Sequence, residues 1–228
     1  MAASDRCFMI EDDMLADIVG RANLSPSDVV LEVGAGYGNL TEKIAATNKV
    51  SAIEKEMDLF NVLVKKFSAD QNVDLILGDA LKVEYPIYNK IVSNIPYSIS
   101  RKLIVRFILE GFEEATLVVQ KEFAEKLLSK PDTDEYRMLS VLTQTTCDAE
   151  IISAVPAKAF RPQPKVESSL IALKQKLKPK KDYVTFLNLL FSGKNKKLRN
   201  ILDTPAEYSE LRPCEMQANQ FLEVYSSI

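Results

Sequence analysis

Histidine is absent from this chain of 228 residues. Its absence removes the commonest general base and the commonest metal ligand, so any chemistry must proceed without imidazole, and no metal is expected. Cysteine is scarce: Cys7, Cys147 and Cys214 are odd in number, widely scattered and form no CxxC pair. That spacing argues against a disulfide framework or zinc knuckle and for a reducing compartment, so a cytoplasmic location is expected. No run approaches the roughly 18 continuous apolar residues of a membrane span, and no partner membrane is expected. Asp5, Glu11, Asp12 and Asp13 near the start argue against a secretory or transit peptide. There is no internal repeat. What is present is a hydrophobic share of 46%, enough for a proper core in one large domain with or without a small appendage.

The net charge of −3 conceals an asymmetry. Residues 158–199 hold twelve Lys and Arg against two acids, Glu167 and Asp182, leaving 17 basic and 30 acidic residues elsewhere. An acidic body with one basic segment suggests a face that meets a polyanion. For the lysines between 174 and 181, a solvated linker is an equally open reading.

Strand-like runs rich in β-branched residues fall at 29–31, 50–53, 73–77, 90–93, 115–119, 150–155 and 168–173. Between them lie helical patterns, as at Met14, Leu15, Ile18 and Val19, or at Leu59, Val62, Leu63 and Phe67. The alternation predicts a doubly wound α/β sheet of seven strands. Pro179 marks a boundary, giving an expected domain at 1–178 and a small helical domain at 179–228. Within the latter, Tyr183, Phe186, Leu187, Leu190 and Phe191 recur at helical spacing, and a polar, irregular tail is expected after Pro205.

Three signals stand at three consecutive predicted strand ends. The first strand runs into Glu32-Val33-Gly34-Ala35-Gly36-Tyr37-Gly38, whose glycines at alternate positions allow tight turning and close approach to a ligand. The second ends at Glu54, where a carboxylate can accept both hydroxyls of a ribose; the third ends at Gly78-Asp79-Ala80. Each alone could be a polar residue capping a strand, but three in register favour an adenosine ligand. A nicotinamide dinucleotide fits less well, because its GxGxxG spacing is not met and Glu32 would repel a pyrophosphate. Glu32 suits a ligand with a cationic methionine end, as in S-adenosylmethionine.

The fourth strand ends at Asn94-Ile95-Pro96-Tyr97. The Asn94 amide and the Pro96 carbonyl are two oxygens beside the flat ring of Tyr97, which suits a planar amine whose hydrogens need acceptors and whose plane needs a stacking partner. A plain strand-to-helix turn with a buried tyrosine is the alternative reading of these four residues alone.

With Phe8-Met9-Ile10 and the run from Phe160 through Arg161, Pro162, Gln163, Pro164, Lys165, Val166 and Glu167 to Ser168, these pieces occur in one order. In that order, across about residues 5 to 173, the chain resembles the ribosomal RNA adenine N6,N6-dimethyltransferases of the KsgA type, relatives of the erythromycin-resistance methylases. The resemblance implies a seven-stranded methyltransferase sheet, S-adenosylmethionine as donor, and two adjacent adenines near the 3′ end of small-subunit ribosomal RNA as target. It implies donor contacts from Cys7, Met9, Gly34, Glu54, Asp79 and Asn94; Glu32, Gly36 and Ala80 are expected to join them from their own places at the strand ends. The target base would meet Asn94, Pro96 and Tyr97, with Phe160 closing its other side. Arg6 and Cys7 depart from the family, which usually has Gln and then Asn or His there.

RNA phosphates are expected at Arg161 and Lys165, and at the start of a helix where Lys194 and Lys197 share a face with Leu198 while Lys196 and Arg199 share a neighbouring one. The expected partner is the RNA or an immature small subunit, met by a monomer. Rival readings are an RNA-binding assembly factor with secondary catalysis, or a methyltransferase of large-subunit RNA or DNA adenine.

Overall fold

A computed structural model describes residues 7–228; Arg6, the first of the two departures, lies outside the described residues. Seven strands form one sheet: β2 (Val29–Val33), β3 (Lys49–Glu54), β4 (Val73–Leu77), β5 (Lys90–Asn94), β6 (Glu114–Gln120), β7 (Cys147–Val155) and β9 (Ser168–Gln175). Their spatial order is β4-β3-β2-β5-β6-β9-β7. The five strands from β4 to β6 are parallel, whereas β9 runs antiparallel to both β6 and β7. A separate two-stranded ribbon pairs β1 (Phe8–Met9) with β8 (Phe160–Arg161); its strands are too short for periodicity to announce.

Strand residues alternate between two cores because successive side chains point to opposite faces. Leu31, Ile91, Leu117 and Ile171 enter one cluster, and their neighbours Val30, Val92, Val118 and Leu170 enter the other. Burial on both faces is why these strands read as unbroken apolar runs. The second face is covered by α1 (Asp12–Arg21) and α2 (Asn39–Ala45) through Leu15, Ile18, Leu40 and Ile44. The first is covered by α4 (Ser100–Glu110), α5 (Lys121–Leu127) and α6 (Met138–Thr146). The helix α3 (Met57–Lys66) packs Leu63 with Phe67 under the glycine loop.

Beyond 178, α7 (Lys181–Ser192) and α8 (Ala218–Ser226) bury Tyr183, Phe186, Leu190, Phe221 and Val224 in the same cluster as α4 and α6. The Tyr136 hydroxyl donates to the Met216 carbonyl at 2.9 Å, and Phe191 stacks on Phe221 with ring centroids 5.7 Å apart. The tail after Pro205 is therefore not wholly irregular. Its α8 is nine residues long, and Gln217 and Gln220 cap its start reciprocally. So short a helix depends on packing rather than propensity. No helix among the described residues is long and apolar enough to cross a membrane.

Candidate active site

The chain adds β3 and β4 on one side of β2 and then returns to set β5 on the other. Ligands in open α/β sheets bind outside strand carboxyl ends at such a reversal. The loops after β2, β3, β4 and β5, closed by β1, surround a cavity of about 190 Å3 there. Cys7, Met9, Glu32, Gly34, Gly36, Glu54, Asp79, Ala80, Asn94, Pro96 and Tyr97 all line it. Phe160 does not.

The glycine loop is shaped by close packing. Gly34 and Gly36 have φ of +80° and +60°, which a side chain would strain. A Cβ on Gly36 would lie 2.9 Å from the Phe8 ring, and one on Gly34 would lie 3.3 Å from Pro96. The loop thus rests directly on the short ribbon and on the tetrapeptide.

Glu54 anchors this loop. Its Oε2 accepts the Gly36 N–H at 2.9 Å, and its Oε1 accepts the N–H groups of Lys55 and Glu56, each at 2.8 Å. A carboxylate offers about four acceptor positions, so the expected free pair for a ribose is already partly spent on the backbone. Asp79 is more open: its Oδ1 accepts the Leu81 N–H at 3.0 Å, and its Oδ2 lies 3.8 Å from the Lys55 ammonium.

Glu32 differs from its expected role as a negative charge. It is buried and accepts the Thr41 hydroxyl at 2.6 Å. Burial pushes its carboxyl up to about 8; the Thr41 bond opposes this and the nearby Glu54 charge adds to it. Burial thus favours the protonated form of this carboxyl. A folded-state value raised above the unfolded one gives stability that is full below about 4.5 and lost as pH rises through about 8. The contribution of Glu32 to the unfolding free energy should therefore fall between pH 5 and 8, and Glu32→Gln should remove that decline from the pH dependence seen in denaturant titrations; an identical pH dependence in the variant would contradict the assignment.

At the tetrapeptide, Asn94 Oδ1 is buried with no hydrogen-bond partner among the described residues. Buried polar atoms without partners are rare, and Asn94 is among the residues that line the cavity. Pro96 departs from its expected part. Its carbonyl accepts the Ile99 N–H at 3.2 Å and the Ser100 hydroxyl at 3.2 Å, which fills both lone pairs. The neighbouring Ile95 carbonyl accepts no hydrogen bond among the described residues, while the Ile95 N–H donates to Val118. Tyr97 is half-buried and its hydroxyl hydrogen-bonds Ser168 at 2.6 Å, which fixes the ring from the far strand β9.

Phe160 is only 2% exposed. Its ring packs in the core beside Met9 and Leu170 because β8 pairs Phe160 with Met9. The aromatic wall is supplied instead by Phe8 and Tyr37, edge to face with ring centroids 4.6 Å apart. Neither ring is among the site residues expected from the sequence; the available signal was a large ring between two glycines on a tight loop, and Tyr37 is 47% exposed.

The cluster at 194–199 is not a helical face. Only Leu198–Asn200 forms a short 3-10 turn, and Leu198 is buried. Lys197 and Arg199 both pair with Glu210; Lys194 is half-buried and Lys196 exposed. Arg161 and Lys165 are exposed and carry no ion pair among the described residues.

A family model described as ribosomal RNA adenine dimethylase matches residues 5–218. The chain belongs to the ribosomal RNA adenine dimethylase family. It is similar to the probable ribosomal RNA small subunit methyltransferase A of Methanosarcina barkeri, 42% identical over 88% of this chain and 72% of that protein. The protein of the same description from Thermococcus onnurineus is 44% identical over 75% of this chain and 63% of its own length. Among solved structures, a dimethyladenosine transferase from Plasmodium falciparum superposes with a TM-score of 0.85 at 26% identity, covering 96% of each chain. The 23S rRNA methyltransferase ErmE gives 0.73 at 27% identity, over 96% of this chain and 98% of that one. The protein is thus a methyltransferase that uses S-adenosylmethionine. Its pocket suits that donor: an orphaned amide oxygen, two carboxylates at adjacent strand ends and an aromatic wall share one cavity.

Proposed function

We propose that this protein dimethylates the N6 amines of two adjacent adenines near the 3′ end of small-subunit ribosomal RNA, and that its substrate is an immature small subunit. The observation that carries the chemistry is Asn94 Oδ1, buried and unpaired at the cavity wall beside the open Ile95 carbonyl. The lone pair of an adenine amine is delocalised into its ring, which makes it a poor nucleophile. Asn94 Oδ1 and the Ile95 carbonyl, rather than that of Pro96, accept the two amine hydrogens and favour a pyramidal, more reactive nitrogen. Tyr97, held by Ser168, stacks on a base extruded from the RNA. S-adenosylmethionine supplies an electrophilic methyl on a positively charged sulfur. No strong base is needed beforehand, in keeping with a chain that has no histidine.

Cys7, Met9, Gly34, Gly36, Glu54, Asp79 and Ala80 form the donor's share of the cavity in this reading, with Glu32 as a neutral hydrogen-bonding group behind the loop. Residues 1–178 carry donor and base, and 179–228 back them through the common core; the protein works as a monomer in the cytoplasm.

RNA phosphates are assigned to Arg161 and Lys165. Their loop reaches the site through the Tyr97–Ser168 bond and is fastened by the Lys121–Glu167 ion pair. Replacing both by Gln should weaken RNA binding and reduce the slope of log affinity against log salt by roughly 1.4 to 1.8, two phosphate contacts' worth. An unchanged slope would remove them from the interface. Lys197 and Arg199 should matter less, since Glu210 already neutralises part of their charge.

A large-subunit adenine is the second reading, favoured by the likeness to ErmE. Labelled donor offered with unmethylated small subunits, large subunits and adenine-containing duplex DNA separates these. Incorporation confined to small subunits supports the proposal. Incorporation elsewhere redirects it, and tight binding of small subunits without incorporation makes the protein an assembly factor.

A further inference from the structure

The helix α4 begins at Ser100, directly after the tetrapeptide and its 3-10 turn at Tyr97–Ile99. Nearly two turns along it stands Arg106, whose three guanidinium nitrogens and one face are engaged. Nη1 donates to the Ala80 carbonyl at 2.7 Å, and Nη2 donates to the Val83 carbonyl at 2.6 Å. Nε lies 3.5 Å from Glu110, and the group's central carbon sits 3.9 Å from the centre of the Tyr85 ring. Tyr85 itself donates to the Ala80 carbonyl at 2.7 Å, so that one oxygen receives two donors. The side chain of Arg106 is 18% exposed.

Ala80 and Asp79 form the wall of the cavity that follows β4; apart from the Arg106 and Tyr85 bonds and the 3.8 Å approach of Lys55 to Asp79 Oδ2, their turn is held among the described residues by local bonds. These are the Lys82 and Val83 N–H groups to the Asp79 carbonyl and the Leu81 N–H to Asp79 Oδ1. We propose that Arg106 is a positioning residue for the donor site: from the helix that the tetrapeptide opens, it holds the wall bearing Asp79 and Ala80 at a fixed distance from Asn94. A planar fork with a stacking face can grip two carbonyls and a ring at once, and a lysine ammonium cannot. The inference rests on reading this cavity as the donor site.

Arg106→Met should weaken S-adenosylmethionine binding by about tenfold in calorimetry. The rate at saturating donor should stay within about threefold, so that the loss falls on KM. In the protein without donor, amide exchange at Leu81, Lys82 and Val83 should quicken while exchange in β5 and β6 stays slow. Arg106→Lys should fall between, and Tyr85→Phe, which removes one hydroxyl, should move affinity and exchange the same way by less. Should Arg106→Met not fold, these two milder variants carry the test. Unchanged donor affinity and unchanged local exchange would overturn the positioning role, as would a uniform rise in exchange across the sheet with kcat and kcat/KM falling together. Failure of the wild-type protein to bind donor would instead defeat the underlying reading of the cavity.

Discussion

Asn94→Ala should lower methyl transfer by about 10²- to 10³-fold, the usual cost of deleting one group aimed at a developing charge. Donor affinity should stay within about fivefold, because the remaining cavity wall is untouched. The reasoning lies in the unpaired oxygen: Oδ1 has no partner among the described residues, so its removal breaks no internal bond and the fold should lose little. Single-turnover incorporation and calorimetric donor titration separate the two effects. Undiminished turnover would remove Asn94 from the chemistry, and would leave its buried, unpaired oxygen without explanation.

A large effect of a different kind is expected at Glu54. Its buried carboxylate receives three backbone N–H groups, from Gly36, Lys55 and Glu56. Glu54→Ala strands all three, and should cost about 3 kcal/mol, since hydrogen bonds to a charged group are stronger than neutral ones. In a chain of this size that corresponds to a fall in Tm of roughly 6 to 12 °C. Donor binding should be lost as well, because the Gly36 turn loses its anchor. Glu54→Gln should be intermediate, since its amide keeps one acceptor oxygen and turns an NH2 group toward a donor. A Tm within about 2 °C of wild type in Glu54→Ala would mean that the three bonds are not formed in solution.

Much of this site could be read before the fold was known, for identifiable reasons. Parallel strands buried on both faces announce themselves as apolar runs, so the strand ends, and with them Gly34, Glu54, Asp79 and Asn94, could be located by position alone. Direction and occupancy could not. Whether a carbonyl is free depends on the turn that follows it: the 3-10 turn after Pro96 brings Ile99 and Ser100 back onto its oxygen and leaves that of Ile95 open. Phe160 misled because a two-residue ribbon decides which way its ring points. The basic run at 194–199 misled because its neutralising acid, Glu210, lies beyond the run and meets it only through tertiary structure. The helix α8 was hidden by its length, since Phe221 and Val224 make too short a stripe to stand out from a polar tail.

The most direct test of adenine dimethylation at Asn94 is nucleoside analysis of RNA from unmethylated small subunits incubated with S-adenosylmethionine and either wild-type protein or Asn94→Ala. The expected result is N6,N6-dimethyladenosine at two adjacent positions near the 3′ end with the wild type, and neither mono- nor dimethyladenosine above background with the variant. Methyl groups on another nucleoside, or the same product from both proteins, would contradict it.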